Sequence, residues 1–166
     1  MKLNNREKEQ TEEDLASLEL YIRNLWEFLP LPLCYLTPKY FILQVNNKFT
    51  EISGYSPAEI VGEDVEKLFL EKDGVTRFKK EINKKDKIEG EELTFITKGG
   101  EKIPVEISIA GRRSPEGEFF GCFLAIIDIS DIKYFQQKLE MKVEEKTKEL
   151  EEKVKILEKF QRLVVR

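Results

Sequence analysis

The residues that could carry out chemistry are few in kind. The chain has no histidine and two cysteines, Cys34 and Cys122. Without an imidazole it cannot by itself house a serine–histidine nucleophile, a histidine-ligated haem, most catalytic zinc sites or a histidine phosphoacceptor. Two thiols cannot build a disulfide framework or a four-thiolate metal site. Both sit in apolar runs, LPLCYL and GCFLAI, the setting of buried, inert thiols. Acidic and basic side chains are abundant, with 28 Lys+Arg against 32 Asp+Glu and a formal net charge of −4. Glu and Lys pairs therefore occur throughout, and their spacing has no specificity for acid–base chemistry. A weakly acidic chain is also poorly suited to non-specific nucleic-acid binding, which neutralises phosphates. There is no glycine-rich phosphate loop and no nucleotide-binding box. The composition thus predicts no catalytic residues, no metal site and no enzyme activity on this chain. One polar group does stand at a strategic place: Asp128-Ile129-Ser130 separates the last apolar run from a long charged segment.

The elements that position these residues fall into three segments, 1–29, 30–131 and 132–166. The first opens polar and charged, then sets Leu15, Leu18, Ile22, Leu25, Trp26 and Leu29 at helical spacing. Thr11 and Asp14 have the spacing of a capping box with Asp in place of Glu. Pro30 ends the helix, because the residue before a proline is driven out of the α region.

The middle segment alternates short apolar runs with turn signals. LCYLT and FILQV read as strands joined through Thr37-Pro38-Lys39-Tyr40. NNKFTEISGY is a short helix stopped by Gly54, VEKLFL a second helical piece, and 75–83 a third with Val75, Phe78 and Ile82 on one face. ELTFIT and IPVEISIA flank Lys98-Gly99-Gly100-Glu101, a hairpin turn, and FFGCFLAIID follows the loop Arg113-Ser114-Pro115-Glu116-Gly117. The order β-β-α-α-α-β-β-β predicts an α+β domain, a five-stranded antiparallel sheet with helices on one face. FFGCFLAIID is apolar throughout and is expected to be covered on both faces. The spare amphipathic element is the N-terminal helix. It is expected to pack on the outer face of the sheet or to meet a partner there, using Leu18, Ile22, Leu25 and Trp26, with Trp26 and Phe28 as its largest anchors.

The last segment has no Gly or Pro and reads as one long helix. Val143, Leu150, Leu157 and Val164 repeat every seven residues, with Leu139, Lys146, Lys153 and Phe160 as the companion register. That pattern predicts a parallel homodimeric coiled coil whose second seam position is weakened by lysine. No run approaches the ~18 apolar residues of a membrane span, and the N-terminus lacks the apolar stretch of a signal peptide. A cytoplasmic protein with no membrane partner is expected. The charged fraction of 36%, mostly Glu and Lys, leans toward a thermophile.

Three blocks of the middle segment resemble a PAS domain of the bacterial and archaeal signalling type. The first is Val45-Asn46-Asn47-Lys48-Phe49 followed by Gly54-Tyr55-Ser56-Pro57-Ala58-Glu59-Ile60-Val61-Gly62. The second runs from Phe95 through Lys98-Gly99-Gly100-Glu101 to Pro104-Val105-Glu106. The third runs from Gly121 to Asp128-Ile129-Ser130. The sequence departs from the family in two places. Thr37 and Tyr40 stand where an Asp-x-x-Gly turn is common, and Ser130 replaces Thr in the closing motif. The resemblance implies that Asp128, Ile129 and Ser130 couple the sheet to the following helix; capping of that helix is the simpler role for the same residues.

The family often holds a small molecule between sheet and helices. Phe49, Ile52, Leu68, Phe69, Phe78, Ile82, Phe95, Val105 and Ile107 would line that space, or fill it; their bulk favours filling. A small apolar ligand is the alternative. Haem is disfavoured for want of histidine. Photoactive flavin is disfavoured because Gly62-Glu63-Asp64-Val65-Glu66-Lys67 has no cysteine where that subclass carries one. PAS domains followed by a heptad helix usually feed sensor histidine kinases, diguanylate cyclases or related regulators. The implied role is a signal-input module of a two-component system, acting on an output kinase or other signalling domain. A ligand-free dimerisation scaffold with a filled core is the other reading.

Overall fold

The computed structural model describes residues 2–165, with side chains from residue 4 onward. The first element, α1, is a helix over Lys2–Phe28. It begins well before the expected cap. Thr11 lies inside it and donates its hydroxyl back to the Glu7 carbonyl at 2.7 Å, while Gln10 donates to Asp14 at 3.2 Å. The residues upstream of Thr11 are mostly Lys, Arg, Glu and Gln, good helix formers with no Gly or Pro among them, so nothing stops the helix there. It ends ahead of Pro30, as the sequence requires.

Five strands follow: β1 (Leu33–Leu36), β2 (Ile42–Val45), β3 (Lys87–Ile96), β4 (Lys102–Arg113) and β5 (Phe119–Asp128). They form one antiparallel sheet in the order β2-β1-β5-β4-β3. Between β2 and β3 lie α2 (Asn47–Ser53), α3 (Pro57–Ile60), a 3₁₀ turn (Val65–Leu68) and α4 (Lys72–Ile82). The last begins three residues before the apolar pattern, because Lys72 and Asp73 add a polar first turn. These pieces bury Phe49, Ile60, Leu68, Phe69, Phe78 and Ile82 against the inward residues of the sheet in a single cluster.

The period-2 alternation of strands decides the rest. In β5, Cys122, Leu124 and Ile126 point inward and are buried, whereas Phe123 and Ile127 of the other parity keep 39% and 37% of their surface, and Phe120, left out of the pairing where the register with β4 shifts, keeps 49%. The expectation of a strand covered on both faces is therefore met only in part. Helix α1 reaches the outer face through Trp26, whose ring lies 6.0 Å from that of Phe123. Its upstream apolar residues Leu15, Leu18, Ile22 and Leu25 stay about half exposed. Gly121 opens the apolar part of β5 for a steric reason. Its φ is +126°, and a Cβ there would stand 2.2 Å from the Leu36 carbonyl oxygen of β1.

Residues 129–166 form a second unit, separate from residues 1–128. It contains α5, an unbroken helix of 35 residues over Ser130–Val164, none of them buried.

Candidate functional site

The residues expected to line or fill a ligand space come together in one buried cluster. Phe49 meets Phe95 edge-on with centroids 6.2 Å apart, Phe69 meets Phe95 at 6.0 Å, and Phe69 meets Phe78 at 6.4 Å. Such tilted pairs place the positive ring edge on the negative face and add to burial. Leu68, Ile82, Val105 and Ile107 close the cluster, all essentially without exposed surface, and Ile52 packs against it partly buried. The geometry is that of an interlocked aromatic core. Cys34 and Cys122 lie on the same inward face, their registers crossing as Cys34↔Leu124 and Leu36↔Cys122. Burial pushes the Cys122 thiol up to about 12 and raises Cys34 as well, so neither is a ready nucleophile or metal ligand. Among the described residues no group of three or more His, Cys, Asp or Glu could hold a metal ion.

The polar centre of the domain is Asn46, almost wholly buried. Its Oδ1 accepts from the backbone N–H of Leu33 at 2.9 Å and of Phe49 at 3.0 Å. Its Nδ2 donates to the carbonyls of Trp26 at 3.1 Å and Leu31 at 2.8 Å. One carboxamide thus caps α2, fixes the entry to β1 and holds the last turn of α1. The next residue adds a bond, its N–H donating to the Glu27 carboxylate at 3.1 Å. The sequence marks Asn46 as an N-cap type three residues before Phe49. Its bonds to the carbonyls of Trp26 in α1 and Leu31 just after it have no sequence signature.

Three further polar groups hold the helical layer to the sheet. Tyr40 occupies the turn position where a glycine is common and takes φ +67°, the left-handed region. Its hydroxyl donates to the Lys79 carbonyl on α4 at 2.8 Å. The Lys79 ammonium lies 5.5 Å from the Tyr40 ring and 3.0 Å from Asp64. Burial is the main cause of the raised Tyr40 hydroxyl pKa. Arg113 on β4 donates to the Asn83 carbonyl at 2.7 Å and pairs with Asp86 at 2.9 Å, tying down the end of α4. At the opposite end, Glu59 accepts from the Ser56 N–H at 2.9 Å and bridges to Lys98 in the β3–β4 hairpin. The Lys98 bond, helped by Ser56, holds its carboxyl down at about 2.

Of the implied coupling residues, Asp128 is the last of β5, opposite Val105. The cap position of α5 falls on Ile129, so Ser130 is the first helical residue rather than the cap. Along α5, Leu139, Val143, Leu150, Leu157 and Val164 keep 57–81% of their surface.

The comparisons agree with this geometry. A family model described as a PAS domain matches residues 31–131. The PAS domain of an HTR-like protein from Haloarcula marismortui superposes with a TM-score of 0.60 at 19% identity, covering 73% of this chain and 99% of that one. A PAS domain from Colwellia psychrerythraea gives 0.60 at 17% identity, over 69% and 98%. A PAS domain from a two-component sensor histidine kinase gives 0.59 at 16%, over 68% and 98%. A sequence search of curated proteins finds no match. With the antiparallel sheet, the short helices over its inner face and the three motif blocks all in place, the chain belongs to the PAS domain family.

Proposed function

We propose that this chain is a signal-input module that pairs with a second copy of itself and passes a conformational change along α5 to an output domain, such as a histidine kinase. The observation that carries the reading is the bare apolar stripe of α5. A helix of 35 residues with none buried gains little from its own propensity, and a stripe of Val and Leu repeating every seven residues is stabilised by a partner helix. The PAS domains of an HTR-like protein and of a sensor histidine kinase are similar folds, which favours signalling as the context. In this reading Leu139, Val143, Leu150, Leu157 and Val164 form the parallel seam. Leu18, Ile22, Leu25 and Trp26 form a second contact on α1. Asp128-Ile129-Ser130 is the joint through which the domain sets the pose of α5. The cytoplasm is the natural compartment, and no helix of the described residues is long and apolar enough to cross a membrane.

The interlocked phenylalanines favour a second reading, a dimerisation scaffold with no bound ligand. Native mass spectrometry of the whole chain, against its denatured mass, separates the two. A dimer with retained extra mass supports the sensor, and a clean dimer supports the scaffold. A monomer at micromolar concentration sinks both. Leu150→Asp puts a charge in the seam and should dissociate the dimer while leaving the thermal transition of the domain in place.

A further inference from the structure

We infer that Asn46 is a joint between the aromatic core and the N-terminal helix, so that the state of the core sets the pose of α1. The bonds form a short continuous path. Phe49 packs edge-on against Phe95 in the core. Its backbone N–H donates to Asn46 Oδ1, and the same carboxamide holds the Trp26 and Leu31 carbonyls through Nδ2. All of the amide's hydrogen-bonding capacity toward the backbone is engaged, and the residue is buried, so the group cannot tilt at one end without breaking or dragging bonds at the other. The Glu27 carboxylate runs parallel, accepting from the N–H of Asn47. A shift of α2 caused by a change around Phe49 is therefore delivered to the last turn of α1. The rest of α1 is long, exposed and apolar on one side, and amplifies a small rotation at its root. The inference concerns α1 within one chain and does not depend on whether copies pair.

The test uses the single tryptophan as reporter, since Trp26 belongs to the last turn that Asn46 holds. Asn46→Asp keeps both acceptor positions and removes both donors. It should red-shift Trp26 emission and speed limited proteolysis near residues 28–31 roughly tenfold, the ratio expected when one or two hydrogen bonds no longer oppose local opening. The decisive measurement is a cycle with Phe49→Leu, a change in the core alone. Phe49→Leu should shift the Trp26 signal in the parent chain and shift it far less in the Asn46→Asp background. An equal shift in both backgrounds would mean that the core reaches Trp26 through the sheet and Phe123, and would overturn the inference. No shift in the parent chain would overturn it too. Should Asn46→Asp fail to fold, Asn46→Ser takes its place in the cycle: its hydroxyl can still cap α2 at the Phe49 N–H but is too short to hold the Trp26 carbonyl, so the effect of Phe49→Leu on Trp26 must again shrink.

Discussion

Phe95→Ala decides whether the centre of this domain is filled or merely apolar. Phe95 has no exposed surface and is the shared member of two edge-to-face pairs, with Phe49 at 6.2 Å and Phe69 at 6.0 Å. Truncating a fully packed phenylalanine costs about 3–5 kcal/mol, the transfer free energy of the ring plus the cavity left behind. Losing both aromatic pairs places this site toward the upper end, about 4–5 kcal/mol. With a urea m-value of about 1.5 kcal/mol/M, the midpoint should fall by about 3 M. The assay is urea unfolding followed by far-ultraviolet circular dichroism on the whole chain, repeated with benzene present. A filled core predicts a large loss in the variant and stabilisation by benzene of the variant alone, because the new apolar hole stays dry and takes an apolar guest. A loss below about 1.5 kcal/mol, far under the range for a packed ring, would refute the reasoning. So would benzene stabilising the parent chain, which would mean that the phenylalanines leave room between them.

Other outcomes follow from the polar contacts. Glu59 has its pKa lowered from the ordinary 4.5 to about 2, chiefly by Lys98, so its contribution to stability is complete above pH 4.5 and fades as the pH falls toward 2. Urea midpoints of Glu59→Gln and the parent should therefore differ at pH 6 and converge near pH 2. Tyr40→Phe removes only the hydroxyl bond to the Lys79 carbonyl and should cost about 0.5–1.5 kcal/mol by the same unfolding assay. Both thiols should resist an aromatic disulfide reagent in the native chain at pH 8 and react together once it is unfolded, as their burial and raised pKa values require.

Some of this was fixed locally and is legible in the chain itself. The strand order along the chain, the hairpin at Gly100 and the end of α1 before Pro30 follow from backbone chemistry that neighbouring residues impose on each other. The aromatic core was legible too, because Phe49, Phe69, Phe78 and Phe95 each sit on the apolar side of a short element, and only one interior exists to receive them. The helix α1 extends upstream of the Thr11–Asp14 spacing that resembles a cap. A capping box is a weak signal, and the polar residues before it favour helix as strongly as those after.

What only the tertiary structure decided lies in the polar contacts between elements distant in sequence. Tyr40 in a left-handed turn reads as a defect until its hydroxyl is found on α4, where the bond offsets the backbone cost. Asn46 reads as an ordinary helix cap until the chain brings Trp26 and Leu31 to its other side. Composition and periodicity report which face of each element seeks the interior, because the hydrophobic effect is non-directional and sums over area. Hydrogen bonds depend on direction and on distances of a few tenths of an ångström. The sequence alone therefore determined the layers of this protein, and the fold determined how one layer is fastened to the next.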